Sequence, residues 1–172
     1  KKSKITINKK DKILCAKFRK GHFEGVLDVM NRLTKIINPD KIFMGEKDFQ
    51  QLYLVKNFLK KKYKTKIISC RTIRGKNKIA LSSRNFLLNS SSLNLAGKIY
   101  KKLKNIKKKI NNKNDISDYL TYSKKKLEMS LKIKIDYLEL RNIKNLKISK
   151  TKNNSRLFIA YYLNNVRLID NL

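Results

Sequence analysis

The sequence predicts an α/β fold, in which a portion of a parallel sheet is followed by a small α+β domain. Before residue 70, two segments with apolar residues at helical spacing are each followed by a short apolar strand pattern. Such alternation implies a parallel sheet with crossover helices. After Cys70 the pattern changes to helices and then strands, which is typical of an α+β arrangement. We therefore predict two domains, residues 1–72 and 73–172.

The first domain begins with an alternating segment at residues 2–8, which predicts an edge strand. Its main elements are predicted to be a helix at 26–37, a strand at 42–44, a helix at 48–62 and a strand at 66–70. Ligands of parallel sheets bind beyond the carboxyl ends of the strands, and residues 45–48 lie there.

The second domain opens with a polar loop at residues 71–85 that contains Gly75. Two helices are predicted next, at 91–110 and 115–131, followed by strands at 133–140, 157–163 and 166–169. Asn164 and Asn165 separate the last two strands and predict a tight hairpin turn, because asparagine tolerates positive φ.

The net charge of +32 raises the alternative of a basic nucleic-acid-binding module. Lysine accounts for most of this charge, with 36 Lys against 8 Arg, whereas nucleic-acid readers usually rely on arginine interleaved with aromatic residues. In the lysine-rich run 101–109, the lysines are interspersed with apolar residues at helical spacing. These lysines therefore indicate the solvated face of a helix, and we predict no nucleic-acid partner.

The two cysteines, Cys15 and Cys70, are far apart and form no C-x-x-C motif. We predict that both are small buried residues in a reducing compartment, with no metal site. No apolar run is long enough to span a membrane, so we expect no membrane partner and a cytoplasmic protein.

Residues 45–51, Gly-Glu-Lys-Asp-Phe-Gln-Gln, join a predicted strand to a predicted helix. A helix N-terminus offers unpaired N–H groups and a positive dipole end to phosphate, and Lys47 adds a full charge. Gly45 allows the backbone to approach a ligand closely, and Asp48 is predicted to cap the helix. Glu46 is a second acidic residue that the helix dipole favours.

The second motif is Leu81-Ser82-Ser83-Arg84-Asn85. Its two hydroxyls and its guanidinium suit the outer phosphates of a nucleotide. The simpler alternative is that the segment caps the next helix, with Asn85 or Ser90 as the capping residue.

In this order the two motifs resemble the pantothenate synthetase family, ATP-dependent ligases that join (R)-pantoate to β-alanine through a pantoyl-adenylate intermediate, releasing AMP and pyrophosphate. Residues 19–26, Asn38-Pro39-Asp40 and Val166 to Asn171 are also similar to that family. The likeness thus extends over the whole chain.

The resemblance implies a C-terminal part of a Rossmann-like nucleotidyltransferase domain followed by an α+β lid, and a homodimer. It implies ATP as a substrate and Mg²⁺ bridging its phosphates, with no metal ligand from the protein. Lys47 would stabilise charge in the transition state and Gln51 would bind pantoate, with Gln50 the weaker candidate. The implied ATP-binding residues are Gly45, Glu46, Lys47, Asp48, Ile73, Leu81, Ser82, Ser83 and Arg84.

Two departures from the family pattern stand out. The family's opening HIGH-like loop, which carries its acid–base histidine, has no counterpart here, so we expect a C-terminal fragment that is inactive alone. The only histidine, His22, is predicted to be structural. In addition, Asn77-Lys78 stands where the family usually has Asp-Gly, and lysine adopts positive φ less easily than glycine. The remaining alternative is another adenylate-forming enzyme of the same superfamily.

Overall fold

The chain divides into two units, Lys1–Thr72 and Ile73–Leu172. The sheet of the first unit consists of two parallel strands. The computed structural model describes residues 5–110 and 115–172. Strand β1 (Lys41–Gly45) lies beside β2 (Lys66–Cys70), with Gly45 opposite Cys70 in the register. Both strands lie where the sequence predicts them, and the α/β prediction is confirmed.

Three helices complete the first unit: α1 (Cys15–Phe18), α2 (His22–Ile37) and α3 (Phe49–Leu59). Helix α2 begins four residues earlier than predicted, because Phe23 already belongs to its buried face and Gly21 takes the positive φ of 76° at its N-cap. Helix α3 ends earlier than predicted, at Leu59. Residues 60–62 form a turn, with Tyr63 N–H donating to the Leu59 carbonyl at 2.9 Å.

The predicted edge strand at residues 2–8 is wrong for the part that the structure describes. Residues 5–8 have no regular secondary structure and lead into a short 3₁₀ helix, Lys9–Asp11. Residues 2–4 lie outside the described residues. An alternating pattern of so few residues does not specify a strand unless a neighbouring strand pairs with it.

The second unit packs two helices on an antiparallel sheet. Helices α4 (Ser90–Lys109) and α5 (Ile116–Leu131) precede strands β3 (Lys134–Asn142), β4 (Ser155–Leu163) and β5 (Val166–Asn171), which pair in the order β3-β4-β5. The hairpin turn between β4 and β5 is confirmed, since Asn164 and Asn165 both have positive φ. The core contains Ile99, Leu103, Leu140, Leu157 and Ile159.

The prediction for the cysteines is half right. Cys15 is buried, but Cys70 is exposed. It is the last residue of β2, a strand in which no residue is fully buried, so its small apolar side chain was a poor indicator of burial. Within the described ranges, no helix combines the length and the apolar character that crossing a bilayer demands.

Candidate nucleotide-binding segments

The first segment, residues 45–48, leaves the carboxyl end of β1 and enters α3. Strand β1 ends at Gly45, a short 3₁₀ helix covers Glu46–Asp48, and α3 begins at Phe49. The predicted order of strand, turn and helix is therefore present. The 3₁₀ turn places Glu46, Lys47 and Asp48 just ahead of the helix N-terminus, where backbone N–H groups and the helix dipole favour an anion.

Lys47 is held close to the protein surface rather than extended into solvent. Its side chain is only 19% exposed, and its Nζ lies 3.5 Å from Oδ1 of Asp48. The prediction that Asp48 caps α3 is wrong, because Asp48 occupies the N-cap position but makes no side-chain hydrogen bond to the helix. Its carboxylate instead faces the Lys47 ammonium group.

The two glutamines of the motif have different environments. Gln50 is buried, and its Nε2 donates to the carbonyls of Asp11 at 3.2 Å and Ile13 at 2.8 Å. These hydrogen bonds connect the segment before α1 to α3. Because its amide group is already engaged in them, Gln50 is the weaker ligand candidate. Gln51 is half-buried on the adjacent helix position and stays the candidate for pantoate.

The second segment lies in the other unit and begins with a hairpin loop, residues 73–81. Gly75 N–H donates to the Ile79 carbonyl at 2.9 Å, and Leu81 N–H donates to the Ile73 carbonyl at 3.0 Å. Arg74 and Ala80 form an isolated antiparallel bridge between the two arms. Ile73 and Leu81, both predicted ATP contacts, have exposed side chains at the base of this loop.

The Ser-Ser-Arg segment, residues 82–84, follows directly. The Ser82 hydroxyl accepts the Arg84 N–H at 3.3 Å and so caps a 3₁₀ helix, Ser83–Leu87. Arg84 Nη1 donates to the Arg167 carbonyl at 2.7 Å. The predicted capping of α4 by Asn85 or Ser90 is wrong, because Asn89 caps it by accepting the Ser92 N–H at 2.9 Å.

Lys78 adopts the backbone conformation for which glycine is best suited. Its φ is 71°, and its N–H closes the turn by donating to the Gly75 carbonyl at 2.8 Å. A three-residue hairpin loop usually ends in such a left-handed residue. The Asn77 side chain supports the turn by accepting the Ile79 N–H at 3.2 Å. The departure from Asp-Gly therefore preserves the turn but leaves a lysine in a strained position.

Lys78→Gly is expected to stabilise the second unit. A residue with a Cβ in the left-handed conformation destabilises the folded state by about 1–2 kcal/mol. Glycine removes this strain but also gives the unfolded chain more conformational freedom, so the free energy of unfolding is expected to rise by only about 1 kcal/mol. Urea unfolding measures it. Lys76→Gly is the matched control, since Lys76 lies in the same turn without positive φ and should give no gain. Equal effects of the two substitutions would contradict the strain at Lys78.

Sequence reasoning missed Gly97, which lets the hairpin loop approach α4. A Cβ at this position would lie 2.5 Å from the backbone oxygen of Asn77. Beside it, Asn77 Nδ2 donates to the Leu93 carbonyl at 3.2 Å. A lone glycine within a helical pattern was the available signal, because it costs helix stability and so usually has a packing reason.

The predicted site residues thus fall into two groups. Gly45, Glu46, Lys47, Asp48 and Gln51 are brought together around the start of α3 in the first unit. Ile73, Leu81, Ser82, Ser83 and Arg84 follow one another along the loop of the second unit. In the part of the chain that the structure describes, no three His, Cys, Asp or Glu side chains are grouped so that they could hold a metal ion.

The family model for pantoate–β-alanine ligase matches residues 2–172. The pantothenate synthetase of Flavobacterium psychrophilum is 38% identical over 162 residues, covering 91% of this chain and 56% of the relative. That of Buchnera aphidicola subsp. Acyrthosiphon pisum (strain Tuc7) is 38% identical over 170 residues, covering 97% and 60%. The chain thus belongs to the pantoate–β-alanine ligase family.

Solved structures agree with this placement. The pantothenate synthetase of Thermus thermophilus has a TM-score of 0.87 at 26% identity and covers 97% of this chain and 61% of its own. The pantoate–β-alanine ligase of Francisella tularensis, in complex with β,γ-ATP and β-alanine, has a TM-score of 0.74 at 35% identity and covers 98% and 56%. The chain spans between half and two thirds of the length of these relatives.

Proposed function

We propose that this chain supplies the C-terminal part of an ATP-dependent enzyme that joins (R)-pantoate and β-alanine to form pantothenate. The observation that carries the proposal is the family match over residues 2–172, which includes both motifs. The turn at Glu46–Asp48 ahead of α3 and the capped turn at Ser83–Leu87 support it. The complex of the Francisella tularensis relative with ATP and β-alanine supports the same substrates here.

The proposed reaction has two steps. A pantoate carboxylate oxygen attacks the α-phosphorus of ATP, the bond to the bridging oxygen breaks, and pyrophosphate leaves. The β-alanine amine then attacks the acyl carbon of pantoyl adenylate, loses a proton, and AMP leaves with the carboxylate oxygen. The protein's contribution is to align the reactants and to stabilise negative charge on the leaving pyrophosphate.

Within this chain we assign phosphate binding to Lys47, Ser82, Ser83 and Arg84, and nucleotide contacts to Gly45, Glu46, Asp48, Ile73 and Leu81. Gln51 would hold pantoate through its amide. Lys47 suits the task because its ammonium group already lies at the helix entrance, so little side-chain entropy is lost when it meets a phosphate.

Mg²⁺ fits this arrangement as a companion of the nucleotide. The described residues offer it no carboxylate cluster, so the phosphate oxygens of ATP would be its main ligands and it would offset part of their charge.

The test follows the oxygen that joins pantoate to phosphorus. With pantoate labelled with heavy oxygen in its carboxylate, an enzyme that contains this chain is expected to transfer one label to AMP, in a reaction that requires β-alanine for turnover. Mass spectrometry of the released AMP measures the transfer. Label in inorganic phosphate, or turnover without pantoate, would indicate a different ligase chemistry or another adenylate-forming enzyme.

By itself, the 172-residue chain is expected to form no pantothenate, because 38–47% of the length of the relatives lies outside the part that this chain matches.

We further propose a homodimer in the cytoplasm, which sedimentation of the complete enzyme and fractionation of cells would test. Nucleic-acid binding, the competing function, would weaken steeply as salt rises, whereas specific ATP binding would change much less.

Arg84→Lys is expected to slow pyrophosphate release about tenfold in the complete enzyme, because lysine loses a planar, two-point contact with phosphate worth about 1.4 kcal/mol. Binding of preformed pantoyl adenylate should change little, since that intermediate has lost its outer phosphates. Arg32→Lys is the control, because Arg32 is an exposed surface residue of α2. Rapid-quench measurement of pyrophosphate gives the rate, and a parental rate in Arg84→Lys would refute its role.

A further inference from the structure

The Ser-Ser-Arg segment is attached to strand β5 on both sides, and Arg74 makes the first attachment. Arg74 Nη1 lies 2.7 Å from Oδ2 of Asp170, and Nη2 lies 2.8 Å from Oδ1. The side chains are 17% and 8% exposed. This is a two-point ion pair with little water around it, so its geometry is strongly specified.

Arg74 also contacts the other elements that surround the hairpin loop. Its guanidinium lies over the Tyr100 ring of α4, 4.2 Å from the ring centroid, and Nη1 donates to the Lys78 carbonyl at 3.2 Å. One side chain therefore joins α4, β5 and the turn of the loop. Burial acts to lower the pKa of Arg74, but the hydrogen bonds and charge of Asp170 outweigh it and raise that pKa, so the cation persists at all working pH values.

The second attachment is at the far side of the segment. Arg84 Nη1 donates to the carbonyl of Arg167, three residues before Asp170 on the same strand. Asn85 Nδ2 donates to the Ala80 carbonyl at 3.1 Å and closes the corner between hairpin loop and segment. Strand β5 is hydrogen-bonded to β4 along its length. Both attachments therefore fix the segment to the sheet of the second unit.

We infer that Arg74 and Asp170 are positioning residues, which hold the Ser-Ser-Arg segment in its phosphate-binding conformation before the ligand arrives. The inference rests on the proposed phosphate role of residues 82–84. Ordering a loop during binding lowers affinity, so a segment fixed in advance binds phosphate more tightly. Lysine at position 74 would keep the charge but would lose both the paired contact and the stacking on Tyr100.

The first test measures the loop itself by amide hydrogen exchange of the whole chain, comparing Arg74→Lys and Asp170→Asn with the parent. The amides of Gly75, Lys78, Leu81 and Arg84 are expected to exchange at least tenfold faster in both variants, while amides of the β3–β4 ladder keep their rates. The matched control is Arg141→Lys, whose guanidinium bonds Glu139 Oε2 at 2.6 Å and the Leu146 carbonyl at 2.6 Å, away from the loop. Exchange at these four amides as slow as in Arg141→Lys would overturn the inference.

The second test uses pyrophosphate as the probe in titration calorimetry. Arg74→Lys is expected to weaken binding about tenfold, and much less so in a chain that already carries Arg84→Lys, because Arg74 acts through the segment. A merely structural role would give the same loss in both backgrounds and would refute the inference. Asp170→Asn keeps the size of the side chain, so it provides the same comparison if Arg74→Lys unfolds.

The two proposals fail separately. If the parent chain does not bind pyrophosphate while the loop amides respond as expected, the phosphate role of residues 82–84 is wrong and the attachment of the loop stands. If the parent binds pyrophosphate and Arg74→Lys matches Arg141→Lys in both affinity and exchange, the positioning role is wrong and the phosphate role stands.

Discussion

Lys47→Ala is expected to slow pyrophosphate release by about 100-fold in a complete enzyme that contains this chain, a loss of about 3 kcal/mol in the transition state. The reason is that Lys47 supplies a full positive charge at the end of β1, close to the N-terminus of α3, where charge on the leaving pyrophosphate would develop. Single-turnover kinetics with saturating pantoate and ATP isolate the adenylation step.

Lys56→Ala is the control for that experiment. Lys56 lies in the last turn of the same helix, is exposed, and contributes only tenths of a kcal/mol through the helix dipole. Its substitution should leave adenylation at the parental rate. If the two alanine variants slow the reaction equally, Lys47 has no special role, and the strand-to-helix turn is then a structural feature only.

Gly97→Ala is expected to lower the free energy of unfolding of the second unit by about 2 kcal/mol. Helix propensity alone predicts the opposite sign, because alanine in the interior of α4 is favoured over glycine by about 1 kcal/mol. The clash decides the outcome: the new methyl would lie 2.5 Å from the Asn77 carbonyl, a backbone atom that moves only if the hairpin loop moves.

The sign of the change therefore tests the packing of the loop on α4. Asn94→Ala is a suitable control, since Asn94 is an exposed residue of the same helix and should gain a few tenths of a kcal/mol. Urea unfolding gives both values. A stabilised Gly97→Ala variant would mean that the loop does not need to approach the helix as closely as the structure shows.

Periodic patterns predicted most of the fold correctly. The apolar stripes of α2 and α4 and the short apolar runs of β1 and β2 are local signals, and they predicted these elements. Burial follows these patterns only in part: Val29, Leu33, Ile36 and Ile37 of α2 are exposed. The exceptions are chain segments whose structure depends on distant partners. Residues 5–8 alternate like a strand but have no regular secondary structure. Cys70 is small and apolar, yet it lies at an exposed strand end.

The sequence could propose the residues of the candidate site, but it could not indicate the contacts that hold them in place. Lys47 and Arg84 were predicted because their motifs carry the chemistry of phosphate binding, and that role stays a prediction. Arg74 and Asp170 are 96 positions apart, so nothing in the sequence near either residue indicates their ion pair. Asp48 illustrates the opposite error: its position favours capping, yet the adjacent ammonium group of Lys47 engages its carboxylate.

The exposed thiol of Cys70 provides the experimentalist with a built-in attachment point for a reporter dye. Its neighbour across the strand pair is Gly45, the residue that opens the first candidate segment. The other thiol, that of Cys15, is shielded in the interior, so a maleimide added to the folded protein would react at one place without any mutagenesis. A fluorophore there would sit beside the turn that carries Lys47, so a change in its emission on addition of ATP would test the proposed nucleotide binding at that turn.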